Sequence, residues 1–332
     1  MWWRSIFWSG LIYGSLMALL PHLAWLVSWC VGRFTHSRIP YAPFGWTALG
    51  LVLVVWGVLA YGHFWGMWKV EVTAQTYVSR EVPAAFDGYR IVHISDLHVD
   101  TYNDKPEALR RIVDRVNGLQ PDLILFTGDM VTGQMESVLL HEQTLRRLHA
   151  RDGVMSVLGN HDFFIYDKQY QSLRERLAAA DSLTRFEQQR LGWQVLRNEH
   201  RMLRLGADSI CIAGVDNING RQGFSTIQMG DLHKALDGVD STFTILMTHD
   251  PSHWRAEVLP QSRVQITLSG HTHASQVRIF GWSLAHFAFR ECDGRYDDHG
   301  RMLYVNAGIG STIPMRFGCP SEITVLTLKR KE

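Results

Sequence analysis

Cysteine is scarce in this chain, and its placement argues against cross-linking. Cys30, Cys211, Cys292 and Cys319 lie far apart and form no Cys-x-x-Cys pair. A disulfide framework and a zinc ribbon are both excluded on that spacing. A charge excess is missing too, since 33 Lys and Arg face 32 Asp and Glu for a net charge of +1. No global basic field exists to hold a polyanion, so no nucleic-acid partner is expected. Internal repeats and low-complexity tracts are absent. The most informative deficit is local. Residues 1–68 carry Arg4, Arg33 and Arg38 and no other charged side chain, and the first acid is Glu71.

Two apolar runs fill that acid-free stretch, at about residues 5–31 and 44–68. Each exceeds the roughly 20 residues that cross a bilayer core as a helix. Pro21 interrupts the first, which a membrane helix tolerates when neighbours satisfy the freed backbone groups. Trp2, Trp3 and Trp8, with Trp65 and Trp68, fit interfacial aromatic belts. A cleaved signal peptide is disfavoured, because the run is long, lacks an Ala-x-Ala-like site and is followed by a second span. A soluble helical hairpin would keep a polar face, which is missing here. Gly62-x-x-x-Gly66 is a pattern that can pack helices, although in such a segment it often arises by chance. The expectation is a membrane anchor over 1–68 and a linker and entry segment over 69–88. Arg33 and Arg38 sit between the spans, and Arg4, Lys69 and Arg80 flank them. This small excess points to a multi-pass protein of the cell (inner) membrane with a cytoplasmic catalytic domain. Unpaired cysteines point the same way.

Beyond residue 68 the chain holds 30 Lys and Arg against 32 Asp and Glu. Apolar, strand-like runs recur at Tyr89–Ser95, Asp122–Thr127, Val154–Leu158, Ile210–Val215, Phe243–Thr248, Val264–Ser269, Met302–Asn306 and Ile323–Leu328. Helical spacing of apolar residues appears at Asp104–Gly118, Met135–Ala150, Lys168–Ala180 and Gln228–Asp237. Several strands are apolar on both faces, as in a sheet covered on both sides. With no internal linker, residues 89–332 read as one α/β domain.

Five of these runs end in metal-competent side chains. They are Asp96-Leu97-His98, Gly128-Asp129, Gly159-Asn160-His161-Asp162, Thr248-His249-Asp250 and Gly270-His271-Thr272-His273. In open α/β sheets ligands bind beyond the carboxyl ends of strands. Carboxylates with neutral imidazoles form a hard-to-borderline donor set suited to a divalent transition metal. Asp-x-His, Gly-Asp and the lone His249 are each weak evidence, and Gly-Asn-His-Asp and Gly-His-Thr-His are more specific. Five at strand ends point together to a two-metal site.

The stretches resemble the calcineurin-like metallophosphoesterase superfamily over about residues 89–328. The run Asn306-Ala307-Gly308-Ile309-Gly310 with Pro314–Gly318 resembles the bacterial membrane-associated subgroup, some of whose members hydrolyse UDP-diacylglucosamine. The resemblance implies a four-layer α/β/β/α sandwich with mixed sheets, here preceded by two N-terminal transmembrane helices. It implies two divalent metal ions per chain (Mn, Fe or Zn). Asp96, His98 and His273 would hold the first, Asn160, His249 and His271 the second, and Asp129 would bridge them. His161 would lie beside the scissile phosphate, oriented by Asp162. Two departures stand out. Ala274-Ser275-Gln276 replaces a frequent Gly-Gly-Gln, and Asp250-Pro251 replaces Asn-Pro. Neither is itself a ligand position, so substrate preference is what they put in question.

The chemistry explains the donor set. Two cations about 3.5–4 Å apart neutralise an anionic phosphoester, supply hydroxide near neutral pH and clamp the attacking and leaving oxygens in line. A bridging carboxylate keeps them close. His161 would stabilise phosphoryl oxygens or protonate the leaving oxygen, a role worth roughly 10²–10⁴-fold. Arg316 is a candidate fork onto a substrate phosphate. The segment Phe280–Arg301 mixes aromatics with Arg290, Arg295 and Arg301, and would cover the site, face lipid headgroups or form an ordinary surface excursion. His93 reads as a core histidine, and His286 and His299 as solvated ones. The function expected is hydrolysis of a phosphoester or pyrophosphate bond at the membrane, on a lipid-linked substrate. The alternatives are the same chemistry on a soluble nucleotide or phosphoprotein, and last a non-catalytic scaffold.

Overall fold

The computed structural model describes residues 2–37, 39–218 and 227–332, without the side chains of Trp2 and Trp3. The readings of Arg38 as a loop charge and of the Trp2 and Trp3 side chains as interfacial anchors lie outside the described residues. The chain forms two compact units, one of Met1–Lys69 with Ile313–Gly318 and one of Val70–Thr312 with Cys319–Glu332.

In the first unit, α1 (Trp2–Thr35) and α2 (Ala42–Phe64) pack against each other. At 1.5 Å rise per residue they are about 50 Å and 35 Å long, enough to cross a hydrocarbon core of about 30 Å. Most of their outward residues are apolar, among them Ile12, Leu16, Leu20, Leu53 and Val54. Pro21 lies inside α1 without ending it. Tyr41 and His22 pair their side chains at 2.8 Å, tying the start of α2 to α1. Gly62 and Gly66 do not serve a helix–helix face. They face the returning segment Ile313–Gly318, where a Cβ on Gly66 would lie 1.9 Å from the Arg316 carbonyl oxygen. The Arg316 amide donates to the Gly62 carbonyl at 3.2 Å, and His63 Nδ1 meets the Pro314 carbonyl at 2.8 Å. The glycine spacing thus admits a close backbone from far along the chain, which a pattern four residues apart cannot reveal.

The second unit holds two six-stranded sheets. One runs β1 (Val70–Ser79), β14 (Ser321–Arg330), β2 (Arg90–Ile94), β3 (Leu123–Phe126), β4 (Val154–Ser156), β5 (Gln194–Val195). The other runs β12 (Gly294–Asp298), β13 (Arg301–Val305), β9 (Ile266–Ser269), β8 (Thr244–Met247), β7 (Asp208–Gly214), β6 (Glu199–Leu205). A small hairpin joins β10 (Arg278–Ile279) to β11 (Trp282–Ser283). Both sheets are mixed. In the first only β14 and β2 pair antiparallel, and in the second only β12 with β13 and β6 with β7 do.

The side chains of successive strand residues alternate between faces, and that alternation builds the layers. Ile91, Leu123, Leu125 and Met155 of the first sheet meet Ile212, Ile245, Met247, Ile266 and Leu268 of the second in one buried cluster. The opposite face of the second sheet packs Ala213, Leu246, Leu303 and Val305 against Trp254, Val258 and Leu232. The first sheet's crossovers carry α3 (Pro106–Gly118), α4 (Met135–Leu145) and α5 (Leu173–Phe186). Leu109, Ile112, Val113 and Val116 form the buried stripe of α3. The result is the four-layer α/β/β/α sandwich.

All eight expected strands form, with small shifts at their ends. Residues 70–79, read as linker, form instead a ten-residue edge strand parallel to β14. Only Tyr77 in it is fully buried, so its apolar content is too low to stand out. The helix expected over Gln228–Asp237 shrinks to Leu232–Ala235, and the one expected over Lys168–Ala180 starts later. There Ser172 and Glu175 form a reciprocal capping box that sets the first turn of α5.

Candidate metal centre

Parallel register aligns the strand ends. Ile94 pairs with Phe126 and Phe126 with Ser156, so Asp96, Asp129 and Asn160 follow two, three and four residues beyond one line. In the second sheet Met247 pairs with Leu268, which sets His249 and His271 just past the same kind of edge. The backbone there is tightly turned. Asp96, His98, Asp129, His271 and His273 have φ of +51°, +38°, +60°, +73° and +50°, a left-handed region that costs a non-glycine residue. Such strain persists where the surrounding structure holds it, and it clusters at functional sites. Gly270 and Gly159 allow the loops to close in. A Cβ on Gly270 would fall 2.2 Å from Asp96 Oδ2, and one on Gly159 would fall 2.2 Å from Asp129 Oδ1.

Two groups of donors result. His98 Nε2 lies 3.1 Å from His273 Nε2, and Asp96 Oδ1 is 3.3 Å from His273 Nε2. His271 Nδ1 lies 3.2 Å from His249 Nε2. Asp129 Oδ2 reaches both groups, at 3.7 Å from His98 Nε2 and 3.1 Å from His249 Nε2. Asp96, His98 and His273 form one cluster able to hold a metal ion, and Asp129, His249 and His271 form another. His161 also comes within ligand range of His98 and Asp129. Asn160 Oδ1 is buried and has no hydrogen-bond partner. Facing imidazole nitrogens and an orphaned amide oxygen are what a cation-binding donor set requires, so the residues fit a dinuclear centre.

The surrounding bonds prepare these donors. His249 Nδ1 donates to the Thr127 carbonyl at 2.8 Å, which leaves Nε2 to face Asp129. Among protein groups alone, burial pushes His249 down, but the Asp129 and Asp96 carboxylates and the Thr127 carbonyl together outweigh it and raise the ring to about 10. Burial lowers His98 to about 3 and raises Asp96 to about 6. Burial also opposes ionisation of Asp129, yet His249 and His161 hold it well below the usual carboxylate range. A bound cation supplies the positive charge that this carboxylate attracts.

Asp162 differs from expectation. It does not orient the His161 ring. Its carboxylate accepts the amides of Asp129 at 2.7 Å, Met130 at 2.8 Å, Val131 at 3.3 Å and Gly159 at 2.9 Å. It shapes the turn that carries Asp129. The His161 ring is held by Thr132, whose carbonyl lies 2.7 Å from Nδ1, and it packs on Tyr166 with ring centroids 4.5 Å apart. Neither Thr132 nor Tyr166 belongs to a motif, and only the fold brings them to His161. Asp250 also gains a role. Its Oδ2 lies 3.7 Å from His271 Nε2, so the departure from Asn-Pro reaches a candidate ligand from behind. Asn306 shapes the neighbouring loop by accepting the Gly308 amide at 2.8 Å, while Gly310 donates to the Asp96 carbonyl at 2.7 Å. Arg316 is fully buried and lies in the helical unit. His93 is a neutral core histidine, 2.9 Å from Thr127 Oγ1 and lowered by burial to about 3.

The sequence model of the calcineurin-like phosphoesterase family matches residues 89–275. The chain belongs to that family. This phosphoesterase is therefore a metal-dependent phosphoester hydrolase. It is similar to the metallophosphoesterase YkuE of Bacillus subtilis, with 32% identity over 90% of this chain and 98% of the relative. It is similar to a Danio rerio transmembrane protein with a metallophosphoesterase domain, with 29% identity over 90% of this chain and 66% of that protein. It is also similar to the UDP-2,3-diacylglucosamine pyrophosphatase LpxG of Chlamydia trachomatis, with 26% identity over 73% of this chain and 84% of the relative. The Danio rerio relative and a Bos taurus relative are named as transmembrane proteins, and this chain has two helices long and apolar enough to cross a membrane.

Proposed function

We propose that the phosphoesterase binds two divalent ions and hydrolyses a lipid-linked phosphoester or pyrophosphate at a membrane that α1 and α2 cross. In this reading Asp96, His98 and His273 hold one ion, Asn160, His249 and His271 hold the other, and Asp129 bridges. The observation that carries it is Asp129, whose Oδ2 faces one imidazole from each group. Bound ions neutralise the phosphate, activate water as the nucleophile and keep attacking and leaving oxygens in line. Asp162 holds the bridging carboxylate in place through the Asp129 amide. His161, fixed by Thr132, offers its other nitrogen to the phosphoryl or leaving oxygen.

The lipid-linked substrate is supported by the likeness to LpxG and by the two apolar helices. Mixed imidazole and carboxylate donors suit Mn, Fe or Zn. The charge bias flanking the spans favours a cytoplasmic catalytic domain.

The test compares substrates. Full-length protein in vesicles, loaded with one metal at a time, is assayed on a soluble aryl phosphodiester and on a lipid phosphoester. The expected result is metal-dependent turnover of both, with the lipid favoured in vesicles. Full activity after exhaustive chelation defeats the metal reading. A preference for soluble nucleotides or phosphoproteins defeats the lipid reading.

A further inference from the structure

The hairpin after the second metal loop is unusual for a globular surface. Ile279, Phe280, Trp282, Leu284 and Phe287 are all exposed, Phe280 completely and Phe287 by 80%. Trp282 stacks on His286 with ring centroids 5.9 Å apart and meets Phe287 edge-on at 4.9 Å. No acid occurs from His271 to Arg290, and Arg278 and Arg290 bracket the apolar tip. The Arg290 side chain is 76% exposed. Folding alone gives no reason to keep so many large apolar groups in water.

The hairpin is also knitted to the site. Ser283 Oγ donates to the Ala274 carbonyl at 2.5 Å, Thr272 Oγ1 donates to the Cys292 carbonyl, and Phe289 packs edge-on against His271 at 5.5 Å. Its position is therefore coupled to the loop that carries His271 and His273.

We infer that residues 279–287 dock this domain onto the lipid surface, with Phe280 and Phe287 entering the headgroup–acyl boundary and Arg290 meeting anionic headgroups. Aromatic tips flanked by arginine are the chemistry of interfacial segments. Arg278 is tied to Asp293, whereas Arg290 stands 3.7 Å from Glu291 and is 76% exposed, so the Arg290 guanidinium is what favours an anionic bilayer as the occupant. Only Trp65–Lys69 lie between the end of α2 and the start of β1, a tether of at most about 20 Å. The inference rests on the membrane reading above, and it adds a second, separable contact that seats the metal loop over its substrate.

The test uses full-length protein with Cys30→Ser and Phe280→Cys, the other three cysteines being buried. A nitroxide at position 280 is read in vesicles of phosphatidylethanolamine and phosphatidylglycerol, with Arg110→Cys on α3 as the aqueous reference. Collisions with membrane-dissolved oxygen should dominate at 280, and collisions with an aqueous nickel chelate at 110. Nickel access at 280 equal to that at 110 overturns docking. Shielding from both probes indicates a protein partner and overturns it as well. In the same vesicles Phe280→Ser with Phe287→Ser should cut lipid phosphoester turnover by about fivefold or more. Metal content and soluble diester turnover should not change. Equal lipid turnover overturns the inference. Lipid contact at 280 with no lipid hydrolysis upholds docking and defeats the lipid-substrate proposal.

Discussion

The first sheet brings Asp96, Asp129, Asn160 and His98 to the centre, and the second brings His249, His271 and His273. The carboxylates among the candidate ligands thus come from one layer and three of the four ligand-type imidazoles from the other. Their support is unequal too. The first sheet's loops are braced from within, where the Asp162 carboxylate gathers four backbone amides. The second sheet's donors lean across the interface: His249 on the Thr127 carbonyl, and the His271 amide on the Asp96 carboxylate at 3.0 Å. The cluster of Asp96, His98 and His273 and the cluster of Asp129, His249 and His271 each draw on both layers, and the apolar cluster between the sheets holds the two halves together.

The largest effect is expected where the halves join. Asp129→Ala should abolish hydrolysis of an aryl phosphodiester and lower bound metal toward one ion or none, measured by elemental analysis. Retention of two ions would show that the layers can be joined without this carboxylate.

A smaller loss separates catalysis from binding within the first sheet. His161→Ala should keep near-normal metal content and lose roughly 10²-fold or more in turnover. The loss should shrink for acidic leaving groups, which need less protonation. An equal loss for all substrates assigns His161 to charge stabilisation, and a collapse in metal content makes it a ligand.

Within the second sheet, Asp250→Ala removes the carboxylate behind His271. Metal affinity should fall about tenfold, the low end for a group that orients a ligand. Unchanged affinity would mean that Asp96 and the backbone orient His271 without it.

The smallest effect concerns stability on the first sheet's side alone. Glu187 is buried, with Oε2 2.5 Å from Ser156 Oγ and Oε1 unpartnered. Burial raises its carboxyl from 4.5 to about 8. Between those values the unfolded chain has lost a proton that the folded protein keeps, so stability falls as pH rises through that window. Glu187→Gln should match wild type near pH 4.5 and melt a few degrees higher at pH 8, by thermal unfolding. Equal melting at pH 8 would show that the carboxyl is not held protonated.

The donors were legible because strands periodic in apolar residues stop at them. Asp96, Asp129 and His271 each follow a buried run that has no other reason to end in a polar side chain, and a glycine beside the last two marks the close turn. The stretch before Glu71, with no acid and few basic residues, likewise determined two apolar helices, since no polar face was available to make them amphipathic. What tertiary structure alone decided are contacts between distant, ordinary residues. Thr132 orients His161 across 29 positions, Asp162 serves the Asp129 turn rather than its neighbour, and Gly62 and Gly66 admit a backbone segment some 250 residues away. Strand β1 belongs with these, because an edge strand with one fully buried side chain is held by its hydrogen-bonded partner. Periodicity reports which side of an element is buried. It carries no information about which backbone carbonyl or amide lies opposite, because every residue supplies the same ones, and only the packed sheets determine that choice.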